Sequence, residues 1–233
     1  MTDRKNCWSI KNRRIKNKKD RGKLVEGIFI TMEGPDGSGK TTQIDLLKKY
    51  LESRGYDIVI AREPGGTVIG EAIRKIILNK EYQEMSHMTE LLLYAAARAQ
   101  LVNQVIRPAL SEGKAVICDR FVESSAVYQG IGRGLGVETV YEVNNYALGD
   151  VSPKLTIFMD LDAKEGIKRK EHQAELDRME MEDLSFHNRV VEGYRQLAQL
   201  WPERIFSIDA TLPIEEIHSM IVQEVEKRFF DAQ

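Results

Sequence analysis

Residues 28–42 read Ile-Phe-Ile-Thr-Met-Glu-Gly-Pro-Asp-Gly-Ser-Gly-Lys-Thr-Thr. Ile28–Met32 is a short apolar run of strand length. Directly behind it, Gly34-Pro35-Asp36-Gly37-Ser38-Gly39-Lys40-Thr41 fits the spacing G-x-x-x-x-G-K-[ST], and a helical-length stretch, Thr41–Arg54, follows. Glycines at such a junction let the backbone wrap so that successive N–H groups point at one anion, and the helix N-terminus adds partial positive charge at the same place. In a loop of this kind Lys40 neutralises the β- and γ-phosphates of a nucleoside triphosphate and the Thr41 hydroxyl holds Mg²⁺. The strand–turn–helix context carries more weight than the match itself, because the pattern fixes only a few positions.

Working outward, Asp57–Ala61, Ala115–Cys118, Leu155–Met159 and Ile205–Ile208 are further short runs rich in β-branched residues. Helical-length stretches separate them, among them Thr89–Arg107 and Asp183–Leu200. In the latter, Phe186, Val190, Tyr194 and Leu197 recur at spacings of three and four. Pro108 is expected to close the long helix after Arg107, with Gly113 in the turn before the next strand. Strands alternating with helices imply a parallel sheet covered on both faces.

The chain has 233 residues, 42% apolar and 30% charged, an ordinary globular balance that excludes collagen-like, low-complexity and wholly disordered classes. Two cysteines, Cys7 and Cys118, cannot build a disulfide framework or a four-cysteine zinc site, which points to a reducing compartment. No apolar run approaches a membrane span. The net charge of −2 hides a segregation: residues 1–23 hold ten basic and two acidic residues, +8, while the remaining 210 residues carry −10. Residues 1–26 lack an apolar signal core and any periodicity, and read as a basic, disordered arm. Contact with nucleic acid or another polyanion, targeting, and a merely solvated extension compete as readings of the arm; the last is favoured, because short like-charge blocks are usually just solvated.

A phosphate cradle alone fits GTPase switches, motor ATPases and small-molecule kinases. The chain is short for a large ATPase, and no guanine-reading Asn-Lys-x-Asp follows the cradle. From about Gly27 to the C-terminus the chain instead resembles the bacterial thymidylate kinases. The segments that carry the resemblance are Phe29–Thr42, Arg62-Glu63-Pro64-Gly65-Gly66-Thr67, Leu91–Pro108, Asp119-Arg120 through Gly130, and Glu175-Leu176-Asp177-Arg178.

The resemblance implies a three-layer α/β/α P-loop kinase fold over residues 27–233, a five-stranded parallel sheet in the order 2-3-1-4-5 with a helical lid at about 166–178. It implies transfer of the γ-phosphoryl of ATP to dTMP with Mg²⁺, giving dTDP, in a cytoplasmic homodimer paired through helices that flank the sheet. A kinase for another nucleoside monophosphate is the alternative enzyme, and a slowly hydrolysing nucleotide switch the alternative class. The arm falls outside the resemblance, as a genuine extension or an upstream start, and is expected to be dispensable for activity.

Site residues follow one by one. Gly34, Pro35, Asp36, Gly37, Ser38, Gly39, Lys40, Thr41 and Thr42 are the expected ATP cradle, with Thr41 and Asp119 at the metal. An acid inside a phosphate cradle repels its ligand, so Asp36 is expected to face the second substrate; the resemblance implies the deoxyribose 3′-OH, and a loop-capping Asp is the other reading. Tyr94 and Arg98 share a helix face, able to stack a flat base and bond its carbonyl edge. The resemblance makes them the thymine clamp, while the residues alone favour Tyr94 as core. Asp119-Arg120 closes a strand beside the cradle; Asp119 is expected to orient the Mg²⁺ shell and Arg120 to hold the acceptor phosphate, with a strand-capping ion pair as the other reading.

Ser124, Ser125, Tyr128 and Gln129 follow in the family's substrate helix, Tyr128 crowding the sugar 2′ position. Arg62 is a second candidate for the acceptor phosphate, and Pro64 for the thymine methyl. One subgroup of the family carries a catalytic arginine in the cradle directly after the acidic residue; here that position is Gly37, so the cation is expected from the lid. Arg169 and Arg178 lead, with Lys170 third. A solvated charged helix is the competing reading of any single lid cation. The four histidines show no ligand spacing.

Overall fold

The computed structural model describes residues 27–170 and 176–231. The basic arm and residues 171–175 of the expected lid lie outside the described residues. Five strands, β1 (Ile28–Glu33), β2 (Ile58–Arg62), β3 (Ala115–Asp119), β4 (Leu155–Asp160) and β5 (Ile205–Asp209), form one sheet in the order β2-β3-β1-β4-β5, every pairing parallel. Each strand runs one residue beyond the stretch expected from its apolar run, because the polar residue that ends it still pairs. Helices connect the strands: α1 (Lys40–Ser53), α2 (Val68–Leu78), α3 (His87–Leu101), α4 (Arg107–Ser111), α5 (Val122–Ser125), α6 (Val137–Leu148), α7 (Ala163–Lys170), α8 (Leu184–Leu200) and α9 (Ile214–Phe229).

β1 is buried along its whole length at the centre of the sheet, and its side chains alternate between two cores. Ile28, Ile30 and Met32 meet α1 and α9 through Ile44, Leu47, Leu51, Ile217 and Ile221. Phe29 points to the opposite face, among Leu91, Leu101, Phe121, Phe158, Val190 and Tyr194. One polar pair sits inside this apolar interior, where the Thr31 and Thr156 hydroxyls of neighbouring strands hydrogen-bond at 2.9 Å. Thr67, Ser86 and Asp183 cap α2, α3 and α8, each accepting from a first-turn N–H.

The expected stop at Pro108 is corrected. α3 does not end there: it widens into a π-helical turn over Val102–Ile106 and re-enters α-helix through Pro108 to Ser111. Proline removes one backbone donor. The wide turn, in which Arg107 N–H reaches back to the Val102 carbonyl, shifts the hydrogen-bond register just where that donor is missing. Gly113 does take the turn before β3, with φ 77°. A second π-helical segment, Ala126–Gly132, follows α5 and carries Tyr128 and Gln129. Among the described residues no helix is long and apolar enough to cross a membrane.

Candidate active site

Parallel sheets bind ligands at the C-terminal ends of their strands, beside the point where the chain changes direction across the sheet. Here β1 lies between β3 and β4. A cavity of about 540 Å³ opens above that edge, lined by the cradle, the Arg62–Pro64 turn, α3, the β3–α5 turn and the end of α7.

The donor half is built mainly from backbone. Gly37 and Gly39 take left-handed φ values of 75° and 88°, which glycine alone adopts freely. No side chain caps the N-terminus of α1, so its first-turn N–H groups remain available to an anion. Lys40 curls over the loop and donates from Nζ to the Gly34 and Pro35 carbonyls at 3.1 and 2.8 Å. Burial, reinforced by Arg120, lowers its pKa to about 8 against the pull of Asp36. α7 packs backbone to backbone on the cradle: a Cβ at Gly37 would sit 2.5 Å from the Gly166 carbonyl, and one at Gly166 2.4 Å from that of Asp36. Arg169 Nη1 lies 3.4 and 3.3 Å from the carbonyls of Gly37 and Ala210, spanning from the cradle to the loop after β5.

The acceptor half is built from side chains tied to other side chains. Arg120 is the one non-glycine residue with positive φ, 65°, among the described residues. Its Nη2 pairs with Asp36 Oδ1 at 2.8 Å, and its Nη1 lies 3.4 Å from the hydroxyls of Ser124 and Tyr194. Burial raises the Asp36 pKa, but Arg120, Lys40 and Lys170 outweigh it and hold the carboxyl far below the usual range. The Asp36 carboxylate is thus directed to Arg120.

Arg98 is 1% exposed. It donates from Nε to Glu63 at 2.8 Å, from Nη1 to Asn144 at 2.5 Å, and from Nη2 to the Phe121 carbonyl and Ser125 Oγ, both at 3.1 Å. Four of its five N–H donors are thereby engaged, while the group still lines the cavity. Burial raises the Glu63 pKa and Arg98 opposes it. Tyr94 is half-buried and lines the cavity, unlike plain core. Tyr128 faces it too, its ring 5.4 Å from the Arg120 guanidinium. Ser125 is buried and serves Arg98. Arg62 Nη2 donates to both carboxylate oxygens of Glu71, at 2.7 and 2.9 Å, and its Nη1 to the Pro64 carbonyl at 2.8 Å; both Arg62 and Pro64 line the cavity.

The cations expected from the lid part company. Lys170 lines the cavity, its Nζ paired with Glu180 and 3.8 Å from Asp36. Arg178 does not join it. It is buried elsewhere, donating to the Ile77 carbonyl at 2.7 Å, pairing with Glu90 at 2.6 Å, and bonding through its own N–H to the Leu78 carbonyl.

Sequence reasoning missed Glu63 and Asn144, which hold Arg98, and Glu33 with the Tyr194 hydroxyl, which stand behind Arg120. A carboxylate ending a buried strand directly before the first cradle glycine was the available sign of Glu33. One Asn-Lys-x-Asp does exist, Asn17–Asp20, but it precedes the cradle and lies outside the described residues.

The family model described as Thymidylate kinase matches residues 32–221. The chain belongs to the thymidylate kinase family. A thymidylate kinase from Geobacillus thermodenitrificans is 48% identical over 206 residues, covering 88% of this chain and 92% of that protein. One from Exiguobacterium sibiricum is 49% identical over 201 residues, 86% of this chain and 95% of that protein. Among solved structures, thymidylate kinase from Ehrlichia chaffeensis superposes with a TM-score of 0.69 at 33% identity, over 85% of this chain and 98% of that one.

Thymidylate kinases use ATP as phosphoryl donor. The donor set also fits Mg²⁺. Among the described residues no three His, Cys, Asp or Glu side chains cluster into a metal cage, but Mg²⁺ is ordinarily held by one or two side chains together with phosphates and water. Asp119 Oδ1 is buried with no hydrogen-bond partner, and it lines the same cavity as Thr41.

Proposed function

We propose that this chain phosphorylates dTMP to dTDP with ATP in this cleft, bound as MgATP, and acts as a cytoplasmic homodimer. The observation that carries the reading is the placement of Arg120 and Asp36 against the cradle, which sets a cationic acceptor site beside the donor phosphates. The cradle amides and Lys40 hold the ATP phosphates. Arg120, with Arg62 nearby, grips the dTMP phosphate, and Asp36 takes the 3′-OH. Tyr94 stacks on the thymine, Arg98 bonds its O4, Pro64 meets its methyl, and Tyr128 excludes a 2′-OH. Thr41 and Asp119 would hold Mg²⁺, which would supply neutralisation of phosphate charge there.

An oxygen of the dTMP phosphate attacks the γ-phosphorus in line, the bond to the β–γ bridging oxygen breaks, and ADP leaves. The nucleophile is already an anion, so positioning and charge neutralisation suffice without a general base. Negative charge spread over the equatorial oxygens is met by Lys40 and Arg120, with Lys170 and Arg169 as the lid cations.

The reading of a homodimer is supported by the exposed apolar side chains Val68, Ile69, Met88, Leu92 and Tyr146 on α2, α3 and α6. Tyr146→Glu should convert a dimer to monomer in sedimentation. The arm, residues 1–26, is proposed to lie outside the catalytic domain.

Coupled ADP release against dTMP, dUMP, dCMP, UMP and AMP tests the activity. dTMP should raise ADP release far above the ATP-only rate, with dUMP used about 10- to 200-fold less well because only a methyl separates the two. Equal rates with AMP or UMP would favour another nucleotide kinase, and no rise with any acceptor would sink the kinase reading.

A further inference from the structure

Glu33 ends β1, is 0% exposed and does not line the cavity, so it touches no substrate. Its carboxylate is nevertheless fully engaged with groups that do face the site. Oε1 accepts the Phe121 N–H at 2.7 Å, and Oε2 accepts the hydroxyls of Ser124 at 2.6 Å and Tyr194 at 2.8 Å. Those hydroxyls lie 2.9 Å from each other and each 3.4 Å from Arg120 Nη1. Each hydroxyl has one hydrogen. With the carboxyl ionised and both hydrogens drawn to it, their lone pairs are left facing the guanidinium, which can only donate. Phe121 directly follows Arg120, the residue held at φ 65°, a conformation that costs a non-glycine residue energy and persists only where its surroundings impose it.

We propose that Glu33 is a positioning residue for the acceptor-phosphate side of the cleft: it pins the left-handed turn at Arg120 through the Phe121 N–H and sets the direction of the Arg120 guanidinium through the Ser124 and Tyr194 hydroxyls. The assignment rests on the reading of Arg120 as the group that holds the dTMP phosphate. Arg120 then has two tethers. Asp36 grips Nη2 from the cradle, and the Glu33-backed hydroxyl pair receives Nη1 from the other side.

Glu33→Gln keeps volume and an acceptor for Phe121, but it turns an N–H₂ toward hydroxyls that now donate. They must then accept from it and swing their hydrogens toward a guanidinium that has no acceptor. Steady-state kinetics on the full chain should show kcat/KM for dTMP falling about 10- to 100-fold, with KM for ATP within about twofold of the parent. Arg120→Ala should show a larger loss, and the double variant should be no worse than Arg120→Ala alone, because the two act through one group. Tyr194→Phe, which removes one relay hydroxyl and leaves the charge, should give a smaller loss of the same kind. If Arg120→Ala leaves dTMP kinetics unchanged, the reading of Arg120 fails. If Arg120→Ala is impaired but Glu33→Gln and Tyr194→Phe match the parent, or the losses multiply in the double variant, the Glu33 proposal is overturned. Should Glu33→Gln not fold, Tyr194→Phe and its double with Arg120→Ala decide by the same criteria.

Discussion

The two halves of the cleft are made differently. The donor side is a backbone loop and the uncapped start of α1, with Lys40 buried beside them. On the acceptor side Arg98 and Arg120 are each held by several other side chains: Glu63, Asn144 and Ser125 for one, Asp36, Ser124 and Tyr194 for the other. Backbone recognition concentrates function in a few positions that a short motif can carry. Recognition by tethered side chains spreads it through residues far apart in sequence, each with a modest individual effect.

The largest effect should therefore fall on the donor side. Lys40→Ala should lower kcat by about 1,000-fold or more at saturating substrates, since it removes charge from the transferring phosphoryl group in a buried site. A loss under about tenfold would mean that the loop amides do most of the work and would erase the contrast. The lid then separates its own cations. Lys170→Ala should reduce kcat by about 100-fold with little change in melting temperature. Arg178→Ala should do the reverse, lowering stability by about 2–4 kcal/mol through loss of a buried ion pair while kcat holds. Chemical denaturation and single-turnover rates would check both, and a dominant kcat loss at Arg178 would return it to the cleft.

Glu33 sharpens the acceptor side through pH. Burial, reinforced by Glu123 and opposed by Ser124, Arg120 and Tyr194, raises its pKa from an ordinary 4.5 to about 7. A carboxyl with a raised folded pKa contributes most at acid pH and loses that contribution as pH climbs through the folded value. Glu33→Gln cannot titrate, so its stability relative to the parent should improve by roughly 2–3 kcal/mol between pH 5 and pH 8. Melting curves at the two pH values measure this, and a constant difference would show that Glu33 carries no such strain. The smallest effect belongs to the arm: deletion of residues 1–23 should leave dTMP turnover within about twofold, and a large loss would give the arm a catalytic role.

The same division explains what could be read from sequence. All five strands were legible in the residues, because buried parallel strands are continuous apolar runs, whereas their order came only with the family resemblance. Gly34–Thr42 and Asp119-Arg120 were legible for the same reason, being contiguous and placed at strand ends. Arg178 was misplaced since a charge count along a lid says nothing about which side chain folds under α2 and α3. Tyr194 was read as one member of an apolar stripe, which its ring obeys while its hydroxyl reaches Glu33 across the sheet edge. Asn144 left no local signal, and Glu63, though inside a quoted segment, carried no hint of its partner; only tertiary structure brings them to Arg98. The turn at Pro108 was misread because a wide helical turn absorbs a missing donor that would stop a regular one.

The contact between Gly37 and Gly166 bears on how this enzyme could change over generations. Position 37 is where one branch of the family resembled by the sequence carries its arginine, yet here any side chain would strike the Gly166 carbonyl, on a backbone with φ 75° that disfavours one in any case. A single Gly37→Arg change would thus displace α7, and with it Arg169 and Lys170, before the new arginine could replace them. An arginine at position 37 and a helix α7 seated as here exclude one another, so a change at the loop requires the helix to change with it.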